Sequence, residues 1–113
     1  MAISSDILRG HLEVVILKLI IEKDRYAYEI SNQITSRSNQ QFTIKEATLY
    51  AMVQRLEKKG LIESYIGTKS KGSQRRYYTI TILGRAYYRE RLNEWLELKT
   101  VMSTLLEANH EGN

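Results

Sequence analysis

The stretch TIKEATLYAMVQRLEKKG, residues 43–60, decides how this sequence folds. Thr43 and Glu46 have the spacing of a capping box, in which the threonine hydroxyl accepts one early amide hydrogen and the glutamate accepts another. Gly60 is the residue type that tolerates the left-handed conformation after a helix. The stretch therefore predicts one helix that is capped near Thr43 and ends at Gly60.

The apolar residues of this helix fall on one side. At positions i, i+3, i+4 and i+7 they predict a single buried stripe, made of Leu49, Met52, Val53 and Leu56. The polar residues left outside the stripe are Thr48, Tyr50, Gln54, Arg55 and Lys58. A polar helix face is most simply a solvated one, so the neighbouring segments must decide its role.

Two further helices are predicted before this one. Residues 6–21 are apolar on more than one side, which suits a first helix packed against two neighbours, one of which can be another subunit. Ser4 or Ser5 is expected to cap this helix. A short second helix has one apolar face, which carries Ala27, Ile30 and Ile34. It is predicted to end within the polar residues 36–39.

After Gly60 the apolar period changes from helical to alternating. Residues 61–66 and 76–82 are rich in Ile, Tyr and Thr, and they flank a Gly/Ser/Lys loop, so they predict a β-hairpin with Tyr78 in the core. Residues 65–91 hold seven Lys or Arg and one Glu, a charge of +6, whereas the whole chain is +4 and the remainder therefore −2. The hairpin is therefore expected to be a basic arm.

Residues 84–106 return to helical spacing, and residues 109–113 are predicted to be a polar tail. Steps of four and three along this last helix predict a coiled-coil seam of Tyr88, Leu92, Trp95, Lys99, Met102 and Leu106, widened by Leu98 and Leu105. A helix this long in a chain of 113 residues needs a partner surface. We therefore expect a homodimer.

Three helices, a basic hairpin and a long closing helix predict a mainly α fold with a β-hairpin wing. Residues 1–83 form a winged helix-turn-helix, and residues 84–108 form a dimerisation helix that packs on the first helix. The third helix can enter the major groove of double-stranded DNA while the wing supplies cations to phosphates. The candidate DNA-binding residues are Tyr28, Lys45, Thr48, Tyr50, Gln54, Arg55, Lys58, Lys69, Lys71, Arg75 and Arg76.

Other classes of protein fit the composition less well. The chain has no cysteine, and its two histidines, His11 and His110, have no spacing for metal binding or proton relay. No glycine-rich phosphate loop is present, so neither an enzyme nor a cofactor is expected. Without a long apolar segment or a leader, we expect a cytoplasmic protein with no membrane partner. The alternative is a winged helix that only docks proteins, whose binding need not weaken steeply with salt.

Several motifs together carry a resemblance to a known family. They are YAYEI at 26–30, EATLY at 46–50, RLEKKGLI at 55–62, RRYYTIT at 75–81 and the glycine at 84. Over nearly the whole chain this pattern resembles the PadR family of bacterial transcriptional regulators, and in length it resembles the short subfamily that includes multidrug-sensing repressors. The resemblance implies a repressor whose first and last helices build a homodimer and whose third helix and wing bind a palindromic operator.

The resemblance also implies an effector site. In multidrug-sensing relatives a tryptophan of the last helix faces its symmetry mate across a central pore, and planar aromatic drugs stack between the two indoles. Trp95 matches that position, and the implied lining is Ile7, Gly10, Glu13, Val14, Leu92, Lys99 and Met102. Those relatives tend to carry an acidic residue at the position of Lys99. This chain is therefore expected to favour neutral or anionic planar compounds, and Lys99 can pair with Glu13 of either subunit.

Overall fold

A computed structural model of the chain describes residues 5–68 and 72–107, with side chains from residue 10 onward. Its helices and strands are α1 (Ser5–Glu22), β1 (Arg25–Tyr26), α2 (Ala27–Arg37), α3 (Glu46–Lys58), β2 (Ile62–Thr68), β3 (Gln74–Ile80) and α4 (Ile82–Glu107). This order confirms the predicted fold, in which a mainly helical winged helix-turn-helix is followed by a long C-terminal helix. Ser4, the side chain of Ser5 and the tail from residue 109 lie outside what is described, and the expected cap of α1 lies there with them.

The sheet has the order β1-β3-β2, and both pairings are antiparallel. The register of the hairpin runs from Ile62 opposite Ile80 to Thr68 opposite Gln74. β1 was not predicted, because a two-residue strand is too short to show an alternating pattern. It nevertheless joins the turn before α2 to the wing, since Tyr26 pairs with Tyr77.

The core lies between α1, α2 and α3, and the sheet closes one side of it. Side chains from all three helices are fully buried there, among them Ile16, Leu17, Ile30, Val53 and Leu56. The four stripe residues predicted for α3 are all buried, and so is Tyr78. Burial of this apolar surface stabilises the fold and leaves the opposite side of α3 free.

The predicted capping box at the start of α3 is wrong. The helix begins at Glu46 with Lys45 as its N-cap residue, and no side chain bonds a first-turn amide. Ile44 is buried in the core, and the chain is still extended at Lys45 (φ −70°, ψ 144°), so Thr43 lies too far upstream to cap the helix. The Glu46 carboxylate is consequently left exposed on the first turn.

The junction between α3 and α4 explains why the last helix starts at Ile82 rather than at residue 84. The Thr81 hydroxyl accepts a hydrogen bond from the Gly84 amide (2.9 Å) and so caps α4. The same hydroxyl lies 2.8 Å from the carbonyl oxygen of Gly60, which has a left-handed φ of 78°. Thr81 was predicted to belong to the second strand of the hairpin, but β3 ends at Ile80. Thr81 instead connects the end of α3 to the start of α4 through its hydroxyl.

A charge cluster fixes α2 to the end of α1. The Glu22 carboxylate accepts two hydrogen bonds from Arg37 (2.6 and 2.9 Å) and one from Arg25 (2.9 Å), and Lys18 lies 3.1 Å away. The hydrogen bonds from Arg37 are the main reason that the pKa of Glu22 is lowered to about 2. Glu22 is thus ionised at any pH at which the protein would work.

Candidate nucleic-acid interface

The outward face of α3 is centred on small and polar side chains. Opposite the buried stripe lie Ala47, Ala51, Gln54 and Lys58, all of them exposed. Gln54 and Lys58 were predicted from the sequence, but the two alanines were not, because an alanine side chain carries no hydrogen-bond donor. The available signal was a pair of small residues four apart and opposite the stripe, which lets a helix approach a base edge and contact a thymine methyl group.

A cleft lies beside this face, towards the wing. Its volume is about 300 Å³, and it is lined by Tyr26, Ala27, Tyr28, Tyr50, Arg75, Arg76 and Tyr78. Four of the predicted DNA-binding residues therefore come together here, from α2, α3 and β3. Tyr28 is 65% exposed and Tyr50 is 43% exposed, so their hydroxyls are available to a ligand. The helix α2 begins at Ala27, beside the cleft, and the Glu29 carboxylate of its first turn accepts a hydrogen bond of 3.2 Å from the Tyr26 amide.

The two arginines of the cleft are held by neighbouring side chains. The Arg75 guanidinium lies 5.5 Å from the ring centroid of Tyr26. Arg76 donates a hydrogen bond of 3.0 Å to the Ser64 hydroxyl, which donates one of 2.7 Å to Glu57 of α3. Because both guanidiniums remain exposed while their positions are constrained, they can bind a phosphate with little loss of side-chain entropy.

The base of the wing is an aromatic cluster. Tyr65 stacks on Tyr77 at 5.7 Å between ring centroids, and Tyr77 meets Tyr26 edge to face at 5.5 Å. The Tyr65 hydroxyl donates a hydrogen bond to Asp24, which raises the pKa of Tyr65 to about 12. Gly67 makes room for this cluster, because a Cβ there would lie 2.6 Å from the Tyr77 ring. The wing is thereby fixed to the turn between α1 and β1.

The remaining predicted DNA-binding residues do not join the cleft. Lys45, Thr48 and Arg55 lie on the other flank of α3, where they line a second cavity of about 500 Å³ together with Leu12 and Met52. Lys69 and Lys71 lie outside the described residues. The structure therefore separates the predicted set into a cleft towards the wing, a central α3 face and a far flank.

The predicted effector residues of α4 share one side of that helix. Trp95 is 40% exposed, and Met102 and Lys99 are exposed as well, whereas Leu92 is partly covered. The Lys99 ammonium lies 5.3 Å from the centroid of the Trp95 ring in the same subunit. The indole of Trp95 thus has a cation of its own chain over its face.

The predicted effector residues of α1 are more scattered. Gly10 is exposed, and no described atom lies within 4 Å of a Cβ built on it. Val14 lines a groove of about 420 Å³ together with Lys18, Phe42 and Tyr88. Tyr88 was expected in the dimer seam but packs in part against the core of its own chain. The side chain of Ile7 lies outside the described part of the chain.

Glu13 has other partners than the predicted one. Its carboxylate accepts a hydrogen bond of 2.9 Å from the Tyr87 hydroxyl and lies 3.4 Å from the Lys59 ammonium. Within one subunit it therefore does not pair with Lys99, which is engaged with Trp95 further along α4. The physical reason is that Lys59 and Tyr87 lie directly across from this turn of α1.

Neither α1 nor α4, nor any other helix within 5–68 and 72–107, has the length and apolar character needed to cross a membrane. In the same part of the chain, His, Asp and Glu side chains form no group of three or more that could hold a metal ion.

Comparison with known proteins identifies relatives of this fold. Residues 16–90 match the transcriptional regulator PadR-like family. An uncharacterized protein of Lysinibacillus sphaericus is 56% identical over 106 residues, which cover 94% of this chain and 97% of that protein.

Two solved structures extend the comparison. A transcriptional regulator from Clostridium thermocellum is 44% identical with a TM-score of 0.82, over 90% of this chain and 96% of that one. A PadR-like transcriptional regulator from Bacillus cereus is 30% identical with a TM-score of 0.84, over 93% of this chain and 100% of that one. By its family match and by these relatives, this chain belongs to the PadR-like family of transcriptional regulators, and it is a DNA-binding regulator.

Proposed function

We propose that the protein is a homodimeric repressor that binds a palindromic operator through α3 and the wing. The observation that carries this proposal is the cleft in which Tyr28, Tyr50, Arg75 and Arg76 converge beside the exposed face of α3. Hydroxyls and guanidiniums in one concave surface suit a phosphate of the DNA backbone. The protein would then be positioned on DNA by contacts that carry no sequence information themselves.

The central face of α3 reads the sequence in this proposal. Gln54 is suited to adenine, whose N6 and N7 atoms it can bond together, and the alanines at 47 and 51 are suited to thymine methyl groups. The cations that hold phosphates in this proposal are Lys58 on the central face and, on either side of it, Lys45, Arg55, Lys69, Lys71, Arg75 and Arg76. Thr48 adds a hydroxyl to the far flank.

A second copy of the chain covers α4 in the proposed dimer. The molecule measures 66 × 32 × 20 Å, because α4 extends away from the winged helix. Large apolar side chains on the outer half of α4 are exposed, including Leu98, Val101, Leu105 and Leu106. Such a continuous apolar surface is unusual on a monomer and typical of an interface. In this arrangement residues 1–83 bind DNA and residues 84–108 dimerise.

A planar aromatic compound releases the dimer from DNA in the proposed mechanism. Trp95 supplies a flat, half-exposed surface, and Lys99 beside it favours a neutral or anionic ring over a cationic one. Gly10, Val14, Leu92 and Met102 would complete the site in the dimer, with Ile7. Release requires that the ligand prefer a dimer whose wings are spaced differently from those of the DNA-bound form.

The proposal is tested by finding the operator. Genomic fragments retained by the immobilised protein are sequenced, and a duplex carrying the enriched sequence is titrated during sedimentation. We expect one dimer on a two-fold symmetric site, and scrambled duplex should bind at least about a thousandfold more weakly. A stable monomer, or equal binding of every sequence, would contradict the proposal and favour a protein-docking winged helix.

A further inference from the structure

Three helices meet at the carboxylate of Glu13. This residue lies on α1, and its side chain is only 18% exposed. One oxygen accepts a hydrogen bond of 2.9 Å from the Tyr87 hydroxyl on α4, and the other lies 3.4 Å from the ammonium of Lys59, which caps the end of α3. The DNA-reading helix and the dimerisation helix are thus joined through one side chain.

The cations around Tyr87 reinforce this connection. Lys59 lies 5.7 Å from the centroid of the Tyr87 ring, and Arg91 lies 5.1 Å from it. Burial and the bond to Glu13 raise the pKa of Tyr87, so its hydroxyl remains a donor. The carboxylate is therefore bonded on both oxygens, and moving either helix would leave one oxygen without its partner, at a cost in free energy.

This cluster lies near the start of α4, so a change there affects the direction of the whole helix. Tyr87 lies in the second turn of the helix, close to the core, whereas the apolar residues beyond it, from Trp95 to Leu106, are exposed. A small change of angle at Tyr87 is therefore amplified along the rest of the helix. In a two-fold dimer built on α4, that angle determines how far apart the two copies of α3 lie.

We propose that Glu13, Tyr87 and Lys59 are positioning residues that set the spacing between the two DNA-reading helices and so determine which half-site spacing the repressor accepts. The inference rests on the proposed dimeric function. It concerns selection between operators of different geometry, whereas the contacts that bind each half-site are those of the cleft and of α3. None of the three residues needs to touch DNA.

The test is a series of operator duplexes in which the centre is lengthened or shortened by one and two base pairs. Each inserted pair moves the half-sites apart by about 3.4 Å and rotates one relative to the other. The variants are Glu13→Gln, Tyr87→Phe and Lys59→Met. The matched controls are Arg89→Met and Glu90→Gln, both on the exposed side of α4. Affinity is measured by fluorescence anisotropy for every duplex and for an isolated half-site.

We expect wild type and both controls to lose about tenfold or more in affinity for one inserted or deleted pair, since dimer symmetry fixes the spacing. The three variants should lose about threefold or less, while their affinity for the isolated half-site stays that of wild type. Tyr87→Phe keeps the ring and its cation contacts, so it tests the hydrogen bond without removing packing.

Two results would overturn the inference. One is a spacing profile unchanged in all three variants. The other is an equal loss of affinity on every duplex and on the half-site, because that pattern indicates general destabilisation rather than lost positioning. Wild type that binds no duplex of any spacing would instead contradict the proposed function, so the two failures are distinguishable.

Discussion

Arg76 of the wing donates a hydrogen bond of 3.0 Å to the hydroxyl of Ser64 on the adjacent strand. The Ser64 hydroxyl in turn donates a hydrogen bond of 2.7 Å to the carboxylate of Glu57 on α3. The wing and α3 are therefore joined by a short hydrogen-bonded chain. The orientation of the Arg76 guanidinium therefore depends on Ser64.

Ser64→Ala should release Arg76 without unfolding the protein. We expect operator affinity to fall about three- to tenfold, which corresponds to one hydrogen bond of about 0.5–1.5 kcal/mol. Anisotropy with the operator duplex measures the loss, and Ser36→Ala on the exposed side of α2 is the control. If the Ser64→Ala protein binds the operator as tightly as wild type, the hydrogen bond between Arg76 and Ser64 does not contribute to DNA binding.

Gly84→Ala should destabilise the fold severely. A Cβ at this position would lie 2.0 Å from the carbonyl oxygen of Leu61, which belongs to the backbone and cannot move aside alone. We expect a cost of about 3 kcal/mol or more in the free energy of unfolding. Urea denaturation measures it, with Gly10→Ala as the control, because no described atom lies within 4 Å of a Cβ there. Equal stability of the two variants would contradict the close packing of α4 on this loop.

The sequence predicted those features that depend on neighbouring residues. The buried stripe of α3 follows from local periodicity, and the hairpin follows from alternating residues around a Gly/Ser/Lys loop. β1 could not be predicted, because its two residues become a strand only by pairing with the distant Tyr77 and Tyr78. The capping box failed for a similar reason, since burial of Ile44 in the core determines where α3 begins.

The candidate site shows the same limit. Tyr28, Tyr50 and Arg75 were each identified from their motifs, but their meeting in one cleft is a result of the tertiary fold. The partners of Glu13 were not foreseen either, because Lys59 and Tyr87 are far from it in sequence and carry no pattern that indicates contact. Residue types suited to DNA can be recognised in the sequence, and packing determines which of them lie together.

The cluster around Glu22 predicts a specific loss of stability in acid. The pKa of Glu22 is lowered from 4.5 to about 2 in the folded protein, so its contribution is fully present above pH 4.5. That contribution is lost as the pH falls from 4.5 to about 2, where the folded protein also becomes protonated. Urea denaturation across this range should show a steeper decline for wild type than for Glu22→Gln, with Glu90→Gln behaving as wild type. Parallel declines for wild type and Glu22→Gln would contradict a stabilising role of the ionised Glu22 carboxylate.

Lys99→Glu should reverse the charge preference of the proposed effector site. The Lys99 ammonium lies 5.3 Å from the Trp95 ring, and Trp95 is the only tryptophan, so its fluorescence reports on this site. Matched planar aromatic anions and cations are titrated while its emission is followed. Wild type should be quenched at lower concentration by anions, and the variant should be quenched at lower concentration by cations. The ratio of the anion concentration to the cation concentration needed for half quenching should change by about tenfold between the two proteins. Trp95→Ala should remove the effect of these compounds on operator release, and release that is unaltered in that variant would contradict the site.

The dependence of operator affinity on salt tests most directly whether the tyrosine–arginine cleft and the wing bind DNA phosphates. The measurement compares wild type with the double variant Arg75→Gln, Arg76→Gln over a range of salt concentrations. If both arginines of both subunits contact phosphates, the slope of log affinity against log salt should become shallower by about 3 to 4 in the variant. The fold should remain intact, since both side chains are exposed. The same slope and affinity in wild type and variant would contradict a DNA-binding role for this surface.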